Sequence, residues 1–109
     1  MFINNKMNLI EKRDFLVKIL DRLKILDIKV LDLKDKSSLA DYMIIGSGTS
    51  NRQIESAMAH IRTDLKNEGE VVAKEEKSDG WVLLDLSDII IHLFTEEQRN
   101  LYRFEEIWK

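Results

Sequence analysis

The sequence predicts an α/β fold: a single mixed β-sheet of about five strands with flanking helices. Three observations predict it. Around Leu16–Leu23 and again around Ile54–Leu65, apolar residues recur at the 3.6-residue period of a helix buried along one stripe. Between and after these stretches lie short segments rich in Val, Ile and Leu, bounded by turn residues, which read as strands. The order that results, αββαβββα, is that of a sheet covered by helices rather than of a bundle or a sandwich.

Taken in order, Leu16, Ile19, Leu20 and Leu23 stand at i, i+3, i+4 and i+7, with Lys12, Arg13, Lys18, Arg22 and Lys24 between them, so a helix is expected from about Asn8 to Leu26. Asp27-Ile-Lys-Val-Leu-Asp-Leu33 alternates and reads as a strand, followed by a polar loop over Lys34 to Ala40. Asp41-Tyr-Met-Ile-Ile-Gly46 is a second, mostly apolar strand. The turn Gly46-Ser-Gly-Thr-Ser50 then leads into a helix whose first turn carries a capping box, Ser50 with Gln53. Ile54, Ala57, Met58, Ile61 and Leu65 hold the helical period, and Gly69 ends it. A third strand is expected over Val71 to Glu76, at a charged edge. Gly80 to Leu86 and Asp88 to Phe94 are two more, separated only by Ser87 and a neighbour, and therefore form a tight hairpin. Thr95 caps a last helix with Glu96 and Glu97 in its first turn, running towards Tyr102 and Trp108.

The chain has 109 residues and no low-complexity stretch, room for one domain and one core; residues 1–7 are expected to be a flexible N-terminus and 8–109 the domain. It has no cysteine, which excludes disulfides and thiolate metal sites and suits a reducing, cytoplasmic setting. No apolar run approaches the ~20 residues of a membrane span. The opening MFINNKMNLI lacks the apolar stretch and cleavage site of a secretory signal, and Met7 offers an alternative start. Seventeen Lys and Arg against twenty Asp and Glu give a net charge of −3 and a pI near 5.4. Proteins that hold nucleic acid by releasing its counterions carry a basic excess instead. A mildly acidic chain suits a basic protein partner, where opposite potentials speed encounter.

Most candidate chemistry is weak. The Gly46 to Ser50 turn, between strand and helix, has the placement of a phosphate cradle, but it lacks the Gly-Lys-Ser/Thr of a P-loop and the third glycine of a dinucleotide fingerprint. The plainer reading is a sharp glycine turn with Ser50 as cap. Asp85 and Asp88 flank the hairpin turn, with Asp41 and Glu76 as possible neighbours for a magnesium site. Carboxylates that share a metal usually stand two apart on a strand; these are three apart across a turn and read as solvated turn acids. His60 and His92 have no ligand spacing, so no metal is expected. Nothing brings Ser47, His92 and Asp85 together as a triad, and no cofactor is implied.

The hairpin says more. With the turn at Ser87 and Asp88, one face collects Val82, Leu84, Leu86, Ile89, Ile91 and Leu93, wholly aliphatic and therefore core. The other face collects Trp81, Leu83 and Asp85 with Ile90, His92 and Phe94. Aromatic residues mixed with one acid and one histidine suit an interface hot spot, unless a second helical layer covers them. Both hold if helices cover only part of the face.

Five motifs in fixed order then carry a resemblance. They are Val30-Leu-Asp-Leu33, Asp41-Tyr-Met-Ile-Ile-Gly-Ser-Gly-Thr-Ser-Asn-Arg-Gln53, Gly80-Trp-Val-Leu-Leu-Asp85, Asp88-Ile-Ile-Ile-His92, and the ending Arg99-x-x-Tyr102-x-Phe104-Glu105-x-Ile107-Trp108. Each is weak alone. Together, from Leu16 to Trp108, they resemble the ribosomal silencing factor family, also called Iojap-like proteins. The resemblance implies a nucleotidyltransferase-like fold without catalysis and binding to the large ribosomal subunit through large-subunit ribosomal protein fourteen. It further implies a steric block to small-subunit joining that represses translation, and a homodimer when free. On this reading the partner-binding residues are Trp81, Leu83, Asp85, His92 and Phe94. Two positions depart from the family pattern: Ser87 where glycine is usual, and Ala40 where a hydroxyl residue is usual. The competing functions are a small metal-dependent nucleotidyltransferase-like enzyme, which needs a carboxylate pair, and direct RNA binding, for which the lysines of the first helix offer a modest basic stripe.

Overall fold

The structure is a computed structural model that describes residues 7–102, without the side chain of Tyr102. The expected flexible segment 1–7 lies, apart from Met7, outside the described residues, as does the end of the last helix.

Helix α1 (Leu9–Arg22) starts on a full capping box: the Asn8 side chain accepts from the Glu11 amide at 2.9 Å, and the Glu11 carboxylate accepts from the Asn8 amide at 3.0 Å. It ends four residues before Leu26. Lys24 takes a left-handed conformation (φ 68°) and the Ile25 amide reaches back to the Leu20 carbonyl, so the chain reverses and sets Ile25 into the core. Strand β1 (Leu26–Asp32) follows, bulged where Asp27 also has positive φ.

Strand β2 (Tyr42–Gly48) is longer than its apolar run predicts, because Ser47 and Gly48 continue the ladder instead of turning. The glycines serve close packing. A Cβ on Gly46 would stand 2.5 Å from Ile25 Cγ2, and one on Gly48 2.5 Å from Ile54 Cγ2. Helix α2 (Asn51–Asn67) begins at Ser50, whose hydroxyl accepts from the Gln53 amide at 3.1 Å. Only this half of the expected capping box forms. The Gln53 side chain instead accepts from the Thr49 amide at 2.6 Å and donates to the Lys24 carbonyl at 3.2 Å, tying α2 to the end of α1. Ser50→Ala should cost about 1 kcal/mol of stability, the usual loss of a cap. Thermal melting reads this loss; an unchanged melting temperature would show the cap to be idle.

Gly69, left-handed at φ 74°, ends the helical segment as expected. Strand β3 (Lys74–Ser78) lies further along the chain than the apolar start at Val71 suggests. Its register is set by the two-residue turn Asp79-Gly80, with Gly80 at φ 80°, which places Ser78 opposite Trp81 of β4 (Trp81–Asp85). β4 turns tightly into β5 (Ile89–Thr95), the Leu86 amide bonding the Ile89 carbonyl at 2.9 Å. Asp85 accepts from the Ser87 amide at 2.8 Å, and Ser87 sits at φ 76°. That angle is one that favours glycine. The left-handed region costs a non-glycine residue about 1–2 kcal/mol, against roughly 0.5–1 kcal/mol of extra chain entropy for glycine. Ser87→Gly should therefore stabilise by roughly 0.5–1 kcal/mol, read as a melting temperature raised by a few degrees.

The sheet order is β1-β2-β5-β4-β3, with β2 and β5 parallel and the other pairs antiparallel, so the sheet is mixed and five-stranded as predicted. The main core lies between one face and helices α1 and α2, where Leu16, Leu20, Ile54, Ile61 and Leu65 meet Ile44, Leu84, Ile91 and Leu93. Helix α3 (Glu96–Tyr102) serves the opposite face, over a smaller cluster of Leu33, Met43, Ile45 and Phe94. Arg99 anchors it, donating to the Asp27 carbonyl at 2.6 Å and the Ser47 hydroxyl at 2.9 Å.

Candidate docking face

Strand alternation sorts the β4–β5 hairpin as the sequence predicts. Val82, Leu84, Leu86, Ile89, Ile91 and Leu93 are all buried in the main core. On the opposite face Trp81 stands across from Phe94, Leu83 from His92 and Asp85 from Ile90. The neighbouring strands complete three rows: Ser78-Trp81-Phe94-Ser47, Glu76-Leu83-His92-Ile45 and Lys74-Asp85-Ile90-Met43. All five residues singled out from the sequence thus share one surface. They do not share one depth. Trp81, Leu83 and Asp85 are half-buried, while His92 and Phe94 keep only 5% and 3% of their surface. The cover is partial: α3 and Arg99 lie over the Ser47 and Phe94 end, and the β4 row retains exposed area.

The three rings cluster with near-parallel planes, each about 6 Å from the other two. Trp81 lies 5.8 Å from His92 at an interplanar angle of 7° and 6.1 Å from Phe94 at 15°. The Trp81 Nε1–H donates to His92 Nδ1 at 3.0 Å. Burial pushes the His92 pKa down to about 4, against a weaker upward pull from Glu76, so the ring is neutral at neutral pH. Glu76 and Asp85 flank Leu83 on the open side of the face, with Lys74 opposite Asp85 and paired with Glu76 at 3.1 Å. The contribution of β3 was hidden in the sequence because four of its five residues are charged. The Asp79-Gly80 turn was the signal that fixes their register.

The rival sites come apart. Asp85 lies on the mixed face with Trp81 and Leu83, whereas Asp88 points to α1 and pairs at 2.9 Å with Lys12, which also meets Glu70 at 3.0 Å. Asp88 is therefore one of two acids paired with the buried Lys12, although its own side chain remains 38% exposed. Burial would lower the pKa of Lys12, but hydrogen bonds from Lys12 to Asp88 and Glu70 outweigh it and the net shift is upward. Lys12, 4% exposed, is thus removed from the basic stripe that the first helix was expected to offer. Among the described residues no three His, Cys, Asp or Glu are grouped to hold a metal. His60 is exposed on α2, and the Ser47 hydroxyl is engaged by Arg99, two rows from Asp85. The cleft of about 500 Å³ beside Ser50 is lined by Asp79, Glu96 and Glu97 with no basic side chain, a poor setting for phosphate. No helix among the described residues is long and apolar enough to cross a membrane.

Residues 6–109 match the family model described as ribosomal silencing factor during starvation. The chain is 37% identical over 97 residues to the ribosomal silencing factor RsfS of Haemophilus influenzae, covering 87% of this chain and 95% of that protein. It is 43% identical over 91 residues to the RsfS of Zymomonas mobilis, covering 82% and 68% respectively. A crystal structure of a protein from Chromobacterium violaceum superposes with a TM-score of 0.88 at 31% identity, over 94% of this chain and 87% of that one.

Proposed function

The chain belongs to the ribosomal silencing factor family, and from that premise we propose that it binds the large ribosomal subunit through large-subunit ribosomal protein fourteen and sterically blocks small-subunit joining, repressing translation in the cytoplasm. The docking face is the mixed side of the hairpin: Trp81, Leu83 and Asp85 in contact, His92 and Phe94 beneath them. The observation that carries this reading is the half-buried Trp81-Leu83-Asp85 row, an apolar centre with an aromatic anchor and an acidic rim of Asp85 and Glu76. A net charge of −3 favours a basic partner. The free protein is a homodimer on this reading, and it performs no chemistry: the carboxylates a metal-dependent transferase needs diverge to opposite faces of the sheet.

Added to separated subunits, the protein should lower the yield of joined ribosomes, levelling off near one copy per large subunit. Inhibition at strongly substoichiometric amounts would point to an enzyme and overturn the steric mechanism.

A further inference from the structure

We propose that His92 is a positioning residue: its neutral Nδ1 fixes the Trp81 indole in the orientation that docks, without His92 itself touching the partner. The inference rests on the docking face proposed above. An indole N–H can only donate, so the 3.0 Å contact requires an unprotonated Nδ1 and puts the remaining ring proton on Nε2. The imidazole is held in place, because it is buried and packed beside the near-parallel rings of Trp81 and Phe94. Trp81, by contrast, is only half-buried, at the end of β4 next to the Gly80 turn, so fewer contacts restrict its side-chain freedom than restrict that of His92. The hydrogen bond removes that freedom before the partner arrives. An anchor held in its bound rotamer loses less entropy on binding than a mobile one. It also gives the buried indole edge its hydrogen-bond partner, so the exposed part of the ring is apolar and ready for contact.

The inference explains why a histidine, a residue with its own polar chemistry, occupies a site where burial keeps it uncharged. Phenylalanine would fill the stack but offer no acceptor. Glutamine, though not a ring, can present a carbonyl acceptor and so serves as the conservative replacement.

The test uses the full chain and purified large subunits. In the wild type, nitrogen NMR at neutral pH should show His92 protonated at Nε2 and not at Nδ1, and the Trp81 indole proton should exchange slowly with solvent. His92→Phe, at temperatures where it remains folded, should weaken binding roughly fivefold to tenfold, the worth of about one hydrogen bond, and speed indole exchange. His92→Gln should keep both close to wild type. Trp81→Ala serves as the control for the docking face. If Trp81→Ala loses binding but folded His92→Phe does not, the face stands and the positioning role is overturned. If Trp81→Ala binds normally, the face itself is wrong and the role falls with it. Wild-type His92 protonated at Nδ1 would overturn the positioning role without any variant.

Discussion

Lys12→Met should destabilise the protein by about 3 kcal/mol, lowering its melting temperature by roughly 12 °C or more. The lysine is 4% exposed on the inner stripe of α1 and is the shared counterion of Asp88 and Glu70, at 2.9 and 3.0 Å. Methionine keeps most of the apolar stem, so the loss is one of charge rather than volume. Removing one partner from a buried ionic network costs about 3–5 kcal/mol, because the remaining charges stay desolvated and unpaired. The lower end applies here, since the Asp88 side chain is 38% exposed and water screens part of its field, while Glu70 is only 9% exposed. The raised pKa of Lys12 gives the sign: the ammonium is stabilised in the fold, so its contribution is complete at neutral pH and fades only in strong alkali, above the ordinary lysine value of 10.5. Glu70→Gln should destabilise the wild type yet restore part of the loss in Lys12→Met, because an amide needs no counterion. That reversal of sign in a thermal-melting cycle is the decisive reading. A Lys12→Met protein that melts within a degree or two of wild type would show the triad to be idle.

The same lysine shows where sequence reasoning reached and where it stopped. Position 12 precedes Leu16 by four residues and so falls on the buried stripe with Leu16, Ile19 and Leu20, but a charged residue on an apolar stripe is easily taken for a helix edge. Its two acids are 58 and 76 positions away, Glu70 after α2 and Asp88 in the hairpin turn, and no local pattern announces such a meeting. The hairpin was legible for the opposite reason. Its register follows from a turn of two residues, and period-two alternation then fixes both faces. Gly46 and Gly48 misled because glycine after an apolar run usually marks a turn. Here they admit Ile25 and Ile54 to the sheet, a requirement set by elements outside the local sequence. His92 and Phe94 share a face with Trp81 by alternation alone, but alternation gives direction, not depth. Depth is set by what packs over the face, including contacts as distant in sequence as Arg99 reaching Ser47 across 52 positions.

Trp81→Ala should weaken binding to the large subunit by about 2 kcal/mol or more, close to thirtyfold. Tryptophan is the residue type most enriched among hot spots, and here it is half-buried in the free chain, stacked on His92 and Phe94 with its Nε1–H already paired. Asp85, two rows along the same strand, can accept a charge-assisted hydrogen bond from a basic partner and so orient the contact, even while it holds the Ser87 amide. The folded state should lose less than the complex. A fully emptied tryptophan site in a core costs about 3–5 kcal/mol. Trp81 lies at the margin of the smaller cluster, and its truncation takes away one hydrogen bond and part of a stack, so about 1–2 kcal/mol of stability is expected. Thermal melting and ribosome affinity measured on this one variant separate the two roles. Strong loss of affinity with modest loss of stability places the docking energy on the hairpin. A variant that melts far earlier than this, yet binds normally while still folded, would make Trp81 a core residue and move the docking face elsewhere.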